Sequence, residues 1–217
     1  MISDYAIDSL LDHLFGGGDF VRPTSVFFAL YSTAPNADGT GGVELSGNGY
    51  ARVSALNDGT LWNSSTNREK TNSSVISFPS STGSWLDSVA IGVLDSASGG
   101  NMLGFSWLYP SVRIEHVGTG DSVSDAVTTY SHGFNNDDQI VVFAPPVGSL
   151  PNGLINGSGY FVVESTPNTF KISTTQSGGA IDLTSTGGLI VRKLAPLTVG
   201  SGQTPTIPVN ELSFTVT

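Results

Sequence analysis

The sequence predicts a mainly β protein: a β-sandwich or jelly-roll-like outer module with one N-terminal helix, and a small β-domain inserted into it. Three observations carry this expectation. Helical periodicity is convincing over only one stretch, residues 3–15. Elsewhere the apolar residues come in short runs or strict alternation, separated by turns drawn from 27 glycines and 11 prolines. The spacing of these runs changes character near residue 116, and a Pro/Gly-rich connection resumes near residue 195.

Taken in order, Ile7, Leu10, Leu11 and Leu14 fall at i, i+3, i+4 and i+7, one face of a helix. Ser3 is placed to cap its start, Asp4 suits the positive end of the dipole, and Gly16-Gly17-Gly18 ends it. Asp4, Asp8 and Asp12 form a ladder on another face, which reads as a solvated surface rather than a set of metal ligands. For Leu10, Leu11 and Leu14 two places are open: the chain's own core, the expected one, or an interface between subunits. VFFALY (26–31) is apolar on both faces and predicts a central, covered strand. SVISF (74–78), SVAIGVLD (88–95) and MLGFSWLY (102–109) are further strands. In ELSFTVT (211–217), Leu212, Phe214 and Val216 alternate with Ser213, Thr215 and Thr217, the pattern of a half-buried strand.

GTGDSVSDA (118–126) reads as a polar stretch. Beyond it lie QIVVF (139–143), GYFVVE (159–164), TFKIS (169–173), AIDLT (180–184) and LIVRK (189–193), a set suited to a small sandwich or barrel. GYFVVE and TFKIS flank STPN, a compact turn that makes them a hairpin. Residues 1–115 and 195–217 would then form the outer module, with 116–194 inserted at a loop.

Only 12% of residues are charged, about half the usual share, so Ser, Thr, Asn and Gly must supply the polar surface. Such a surface loses little side-chain entropy when it packs against a partner. The net charge is −10 and the eight Lys and Arg are dispersed, which argues against nucleic acid and anionic membranes as partners. The chain has no cysteine, so disulfides, thiolate nucleophiles and Cys-ligated zinc are excluded. MISDYAID lacks the basic segment of a secretory signal, and apolar runs of about six residues fall far short of a membrane span. The Asn-x-Ser triplets at Asn63, Asn72 and Asn156 therefore read as chance matches rather than glycosylation sites.

A search for chemistry finds little. His13, His116 and His132 are the only histidines, and no GxSxG elbow accompanies them. Asn135, Asn136, Asp137 and Asp138 offer oxygens, yet without EF-hand spacing they read as a β-turn. Paired glycosidase carboxylates meet only in space, and Trp62, Trp85 and Trp107 are few for a saccharide cleft. The Gly-rich stretch 39–42 precedes no helix and lacks a following GK[ST], so it is no phosphate cradle. No catalytic, cofactor-binding or metal-binding residue is assigned. In VELSGNGYARV (43–53), Gly47 and Gly49 predict a tight turn that folds the chain back beside VFFALY. Arg52 is expected to pair with Glu44, and Tyr50 to pack with its hydroxyl in water; a ligand-binding role for Arg52 is the alternative.

The block VFFALYSTAPNADGTGGVELSGNGYARV resembles a family of small bacteriophage virion proteins often labelled tail-fibre proteins. SVAIGVLDSASGGNMLGFSWL and LTVGSGQTPTIPVNELSFTVT are similar to that family's later blocks, so the resemblance covers 1–113 and 195–217. YSHGFNNDDQIVVF, LPNGLINGSGYFVVE and NTFKISTTQSGGAIDLTS resemble a short β-module recurring in phage structural proteins, with Asp137-Asp138 in place of its usual Gly-Asp. The resemblance implies a non-enzymatic virion structural protein, assembled in the bacterial cytoplasm and partnered by other virion proteins. The leading expectation is a capsid-decorating (cement) protein, a homotrimer on the major capsid protein that stabilises the assembled shell by mass action. The alternative is a tail-fibre or tail-adaptor subunit among tail proteins, with the inserted domain binding host-surface glycans. A depolymerase is the third and least favoured reading.

Overall fold

The computed structural model describes residues 1–108 and 115–215. It is mainly β, with one α-helix among the described residues, as the sequence predicts. The chain divides into two compact units, one formed by Met1–Leu108 and Pro196–Thr217, the other by Tyr109–Ala195.

The first unit opens with α1 (Asp4–Phe15). Ser3 caps it by accepting from the Ala6 amide, and Gly16 ends it in the left-handed region at φ 85°. Five strands form an antiparallel sheet: β1 (Ser25–Thr33), β2 (Val43–Glu44), β3 (Val53–Leu56), β6 (Ala90–Leu94) and β7 (Met102–Trp107). β1 is central, as VFFALY predicts: β6 pairs along one side, while β2 and β3 share the other. β4 (Glu69–Thr71) pairs with β15 (Ser213–Thr215), and β5 (Ile76–Ser77) with β14 (Thr206–Ile207), as two short ladders. The core lies between sheet and ladders, where Val26, Phe28 and Leu30 of β1 meet Ile76, Ile207, Leu212 and Phe214. Leu212 and Phe214 point inward and Thr215 outward, the alternation expected of the last strand. Tyr109, Val216 and Thr217, the other ends of predicted strands, lie outside the described residues.

Buried Asn72 ties the distant segments of this unit together. Its side-chain amide donates to Ser74 and Pro208 carbonyls at 2.8 Å each, and its Oδ1 accepts from the Leu212 amide at 2.9 Å. An Asn with every group so committed is a structural staple.

The second unit is a closed six-stranded barrel in the order β10-β11-β12-β9-β8-β13. Its strands are β8 (Glu115–Gly120), β9 (Val127–Thr128), β10 (Gln139–Phe143), β11 (Gly159–Val163), β12 (Thr169–Ser173) and β13 (Gly187–Lys193). Inward residues Val127, Ile140, Val142, Val162, Phe170, Ile172, Leu189 and Val191 pack together as its core. β11 and β12 form the expected hairpin across STPN, closed by the Thr166 amide on the Thr169 carbonyl at 2.7 Å. Two expectations need correction. AIDLT is not a strand: the Ile181 amide bonds the Ile172 carbonyl, while Leu183 hangs on the Asp125 carboxylate. Conversely, the start of the supposed polar stretch is β8, which pairs with β13 over six residues.

Candidate functional site

Two features of the first unit bear on function: the SGNGYARV turn and the outer face of α1. In the turn, Gly47, Asn48 and Gly49 all have positive φ, at 75°, 49° and 77°. A Cβ on Gly49 would come within 3.2 Å of the Ser80 carbonyl, so glycine is needed there for space as well as backbone conformation. Asn48 then locks the turn to the 80–85 segment: its carbonyl accepts from the Thr82 amide and from the Trp85 indole, each at 2.9 Å.

This geometry delivers Tyr50 and Arg52 to Glu44. Arg52 makes a bidentate pair with the Glu44 carboxylate at 2.9 and 2.7 Å, the pairing the sequence leads one to expect. Its Nη1 also donates to the carbonyls of Ser96 and Gly99 at 2.7 and 2.8 Å. Four of the five guanidinium hydrogens are thereby used within the fold, which assigns Arg52 to architecture rather than to a ligand. Tyr50 departs from expectation. Its hydroxyl is not in water: it accepts from the Leu30 amide at 2.9 Å and donates to Glu44 at 3.1 Å. Burial holds the phenol well above its ordinary pKa. Its ring packs edge-on against Trp85 and beside Phe78.

The acidic candidates are internally satisfied. Asn136 and Asp137 form a turn. Asp137 accepts from the Ser177 amide and hydroxyl at 2.6 and 2.8 Å. Asp138 accepts from the Asn135 amide and from Lys193 Nζ at 2.8 and 2.6 Å. Among the described residues no group of three His, Cys, Asp or Glu is placed to hold a metal ion. His13 stands beside Asp19 at the surface. His132 is buried in the barrel against Phe134 and Phe170, and its Nδ1 accepts from the Phe134 amide at 2.9 Å. His116 stacks edge-on to the same Phe134, and burial, then the neighbouring His132, lowers its pKa.

The helix face overturns the expected core placement of its leucines. No residue of α1 is buried. Leu10, Leu11 and Leu14 are 50%, 48% and 62% exposed, and Phe15 is 82% exposed. The reason lies at the first turn. The Ser3 amide donates to the Leu103 carbonyl at 3.1 Å and Asp4 to the Ala37 carbonyl at 2.9 Å, so the helix is fastened by its start. The remaining turns carry their apolar stripe on the surface. Ile7 with these four side chains leaves on the order of 500 Å² in water, near the upper end for a monomer and over half of one side of a standard interface.

A β-rich chain whose Glu44–Arg52 and Asp137–Asp138 clusters are spent on its own fold, and whose helix turns its leucines outward, has the physical character of an assembly component. A family model described as podophage GP4 fiber I protein gp80 matches residues 1–135, more than half the chain. The chain belongs to that family and is a phage virion structural protein. No curated protein matches it. No helix among the described residues is long and apolar enough to cross a membrane.

Proposed function

We propose that this chain is a non-enzymatic tail-fibre subunit that assembles by burying the outer face of α1 against the same helix of further copies, three being the expected number. The carrying observation is the apolar stripe Ile7-Leu10-Leu11-Leu14-Phe15, exposed along the helix. Ile7, Leu10 and Leu14 recur at the three- and four-residue intervals of a helix-packing seam, and Asp8 and Asp12 lie along its flank, exposed to water. A copy of net charge −10 repels its neighbours, so the apolar seam must supply the attraction and added salt should tighten the assembly. The fibre description of the matched family favours the tail over the shell-decorating reading. Attachment to other virion proteins would use surfaces outside this seam.

The test is sedimentation of Leu11→Ser with Leu14→Ser. Both side chains are about half exposed in the single chain, so the isolated chain should lose only the part already buried, a loss that does not depend on concentration. In an assembly each loses roughly 1–2 kcal/mol of burial. Smaller species on dilution are expected; an unchanged sedimentation coefficient at all concentrations would remove the helix from the interface. Locating the protein on intact particles by cryo-electron microscopy separates tail from shell.

A further inference from the structure

The first unit holds a cavity of about 340 Å³, within the size range of small-ligand sites. One wall is aromatic: Trp62 and Phe214 meet edge to face at 6.0 Å, and Trp62 rests on Phe28 behind it. Trp62 is half-buried and fixed in orientation, because its indole N–H donates to Asn57 Oδ1 at 2.9 Å while the Asn57 amide donates to the Pro23 carbonyl. Around this wall stand Arg22, Lys70 and Asp58.

The cations are the informative part. In a chain with 8 basic and 18 acidic residues, four other cations already have partners. Arg52 is paired to Glu44, Lys171 to Glu164 and Lys193 to Asp138, and Arg192 lies over the Phe143 ring. Arg22 and Lys70 line the cavity with no hydrogen bond or ion pair to a described side chain, although Arg22 adds a weak field at Asp58. Asp58 is oriented by the Thr60 hydroxyl and amide, both of which its Oδ1 accepts at 2.6 and 2.8 Å, leaving Oδ2 free. An aromatic face, two available cations and one spare carboxylate oxygen ask for a ligand with a flat C–H face, a negative group and hydroxyl donors.

We infer that this cavity binds a carboxylated sugar residue. Its ring would lie on Trp62, its carboxylate would reach Lys70 and Arg22, and its hydroxyls would donate to Asp58. A phosphodiester or an acidic peptide has the charge but no vicinal hydroxyls to donate to Asp58. The site lies in the first unit, apart from the inserted domain to which the sequence directed any glycan binding, and the inference does not depend on self-association through α1.

The experiment is calorimetric titration of the full chain with a galacturonate tetrasaccharide, beside the same tetrasaccharide with methyl-esterified carboxyls, inorganic phosphate, and an oligoaspartate peptide. The acidic saccharide should bind saturably, shift the Trp62 indole N–H resonance, and outcompete phosphate and peptide. Esterification, Lys70→Met and Arg22→Gln should each weaken it about tenfold or more, the scale of a lost hydrogen bond to a charged group. Lys171→Met, in the other unit, should leave it unchanged. No saturation at millimolar saccharide, equal binding of the ester, or undiminished binding by both pocket variants would overturn the inference. Tighter binding of the peptide would assign the pocket to a protein partner, and tighter binding of phosphate to a simple anion; either result also overturns it.

Discussion

The barrel of the second unit and the sheet of the first solve the same problem differently. The barrel closes on itself, so each of its six strands has two neighbours and no edge is left to pair with another chain. The first unit is open. Its sheet relies on local devices: Ile2 bridges Gly104 beside β7, Asn72 gathers three segments, and the Glu44–Tyr50–Arg52 cluster ties β2 to the loop after β6. Such openness leaves room for an uncovered helix and an aromatic cavity, both of which occur in the first unit. Closure makes a module self-sufficient; openness makes one available to partners.

Arg52→Ala should break this contrast most strongly, because the arginine side chain is only 10% exposed and its removal strands the Glu44 carboxylate beside Tyr50. Breaking a largely buried pair of this kind costs about 3–5 kcal/mol. Urea denaturation followed at the tryptophans, all three of which lie in the first unit, should show that loss while the barrel's own transition stays in place. A common shift of both transitions would mean that the two units unfold as one.

A smaller effect is expected from pH, and in the barrel alone. The folded pKa of His116 lies below its unfolded value, so the unfolded chain takes up the proton more readily. The associated stability is complete above the unfolded value of about 6.5 and is lost as pH falls through the lower folded value. Denaturation midpoints between pH 7.5 and pH 5.5 should therefore fall for the barrel, and His116→Gln should flatten that slope. A slope unchanged in the variant would assign the acid sensitivity to other groups. The least effect is expected from excision. If the first unit stands alone, joining Glu115 to Ala195 through a short Gly/Ser linker should leave a cooperative melt close to that of the full chain. A molten or insoluble product would show a shared core.

Much of the fold was legible because burial imposed its period on the residues. The α1 caps, the doubly covered β1 and the alternating Leu212 and Phe214 all left the pattern physics requires. β8 left none, since two of its inward positions are glycines. A Cβ at Gly118 would come within 2.9 Å of Val127, and one at Gly120 within 2.6 Å of Pro151, so the closing barrel admits no side chain at either place. AIDLT shows the reverse: buried Leu183 supplies a strand-like apolar residue where no ladder forms. The pairing of Arg52 with Glu44 could be anticipated from eight residues of separation, but the cavity could not. Asp58 and Trp62 share one turn and Lys70 and Phe214 are partners in one ladder, but Arg22, the 58–62 turn and that ladder are far apart in sequence, and nothing in their spacing brings them together. The exposed leucines of α1 were visible as a stripe, yet a stripe alone does not say whether it faces inward or outward.

The pairing of β8 with β13 has a mechanical side. β8 begins and β13 ends at the same rim of the barrel, with Glu115 opposite Arg192 and successive pairs running inward to Gly120 opposite Gly187. Both covalent links from the barrel to the rest of the chain therefore leave side by side. A load applied at the far rim is carried by two neighbouring strands pulled in the same direction. Their shared hydrogen bonds are not put under tension by that load, and neither strand is drawn past the other. Forcing the two links apart would instead open the ladder one pair at a time, starting at Arg192. Tension along these two strands thus leaves the seam between them at rest.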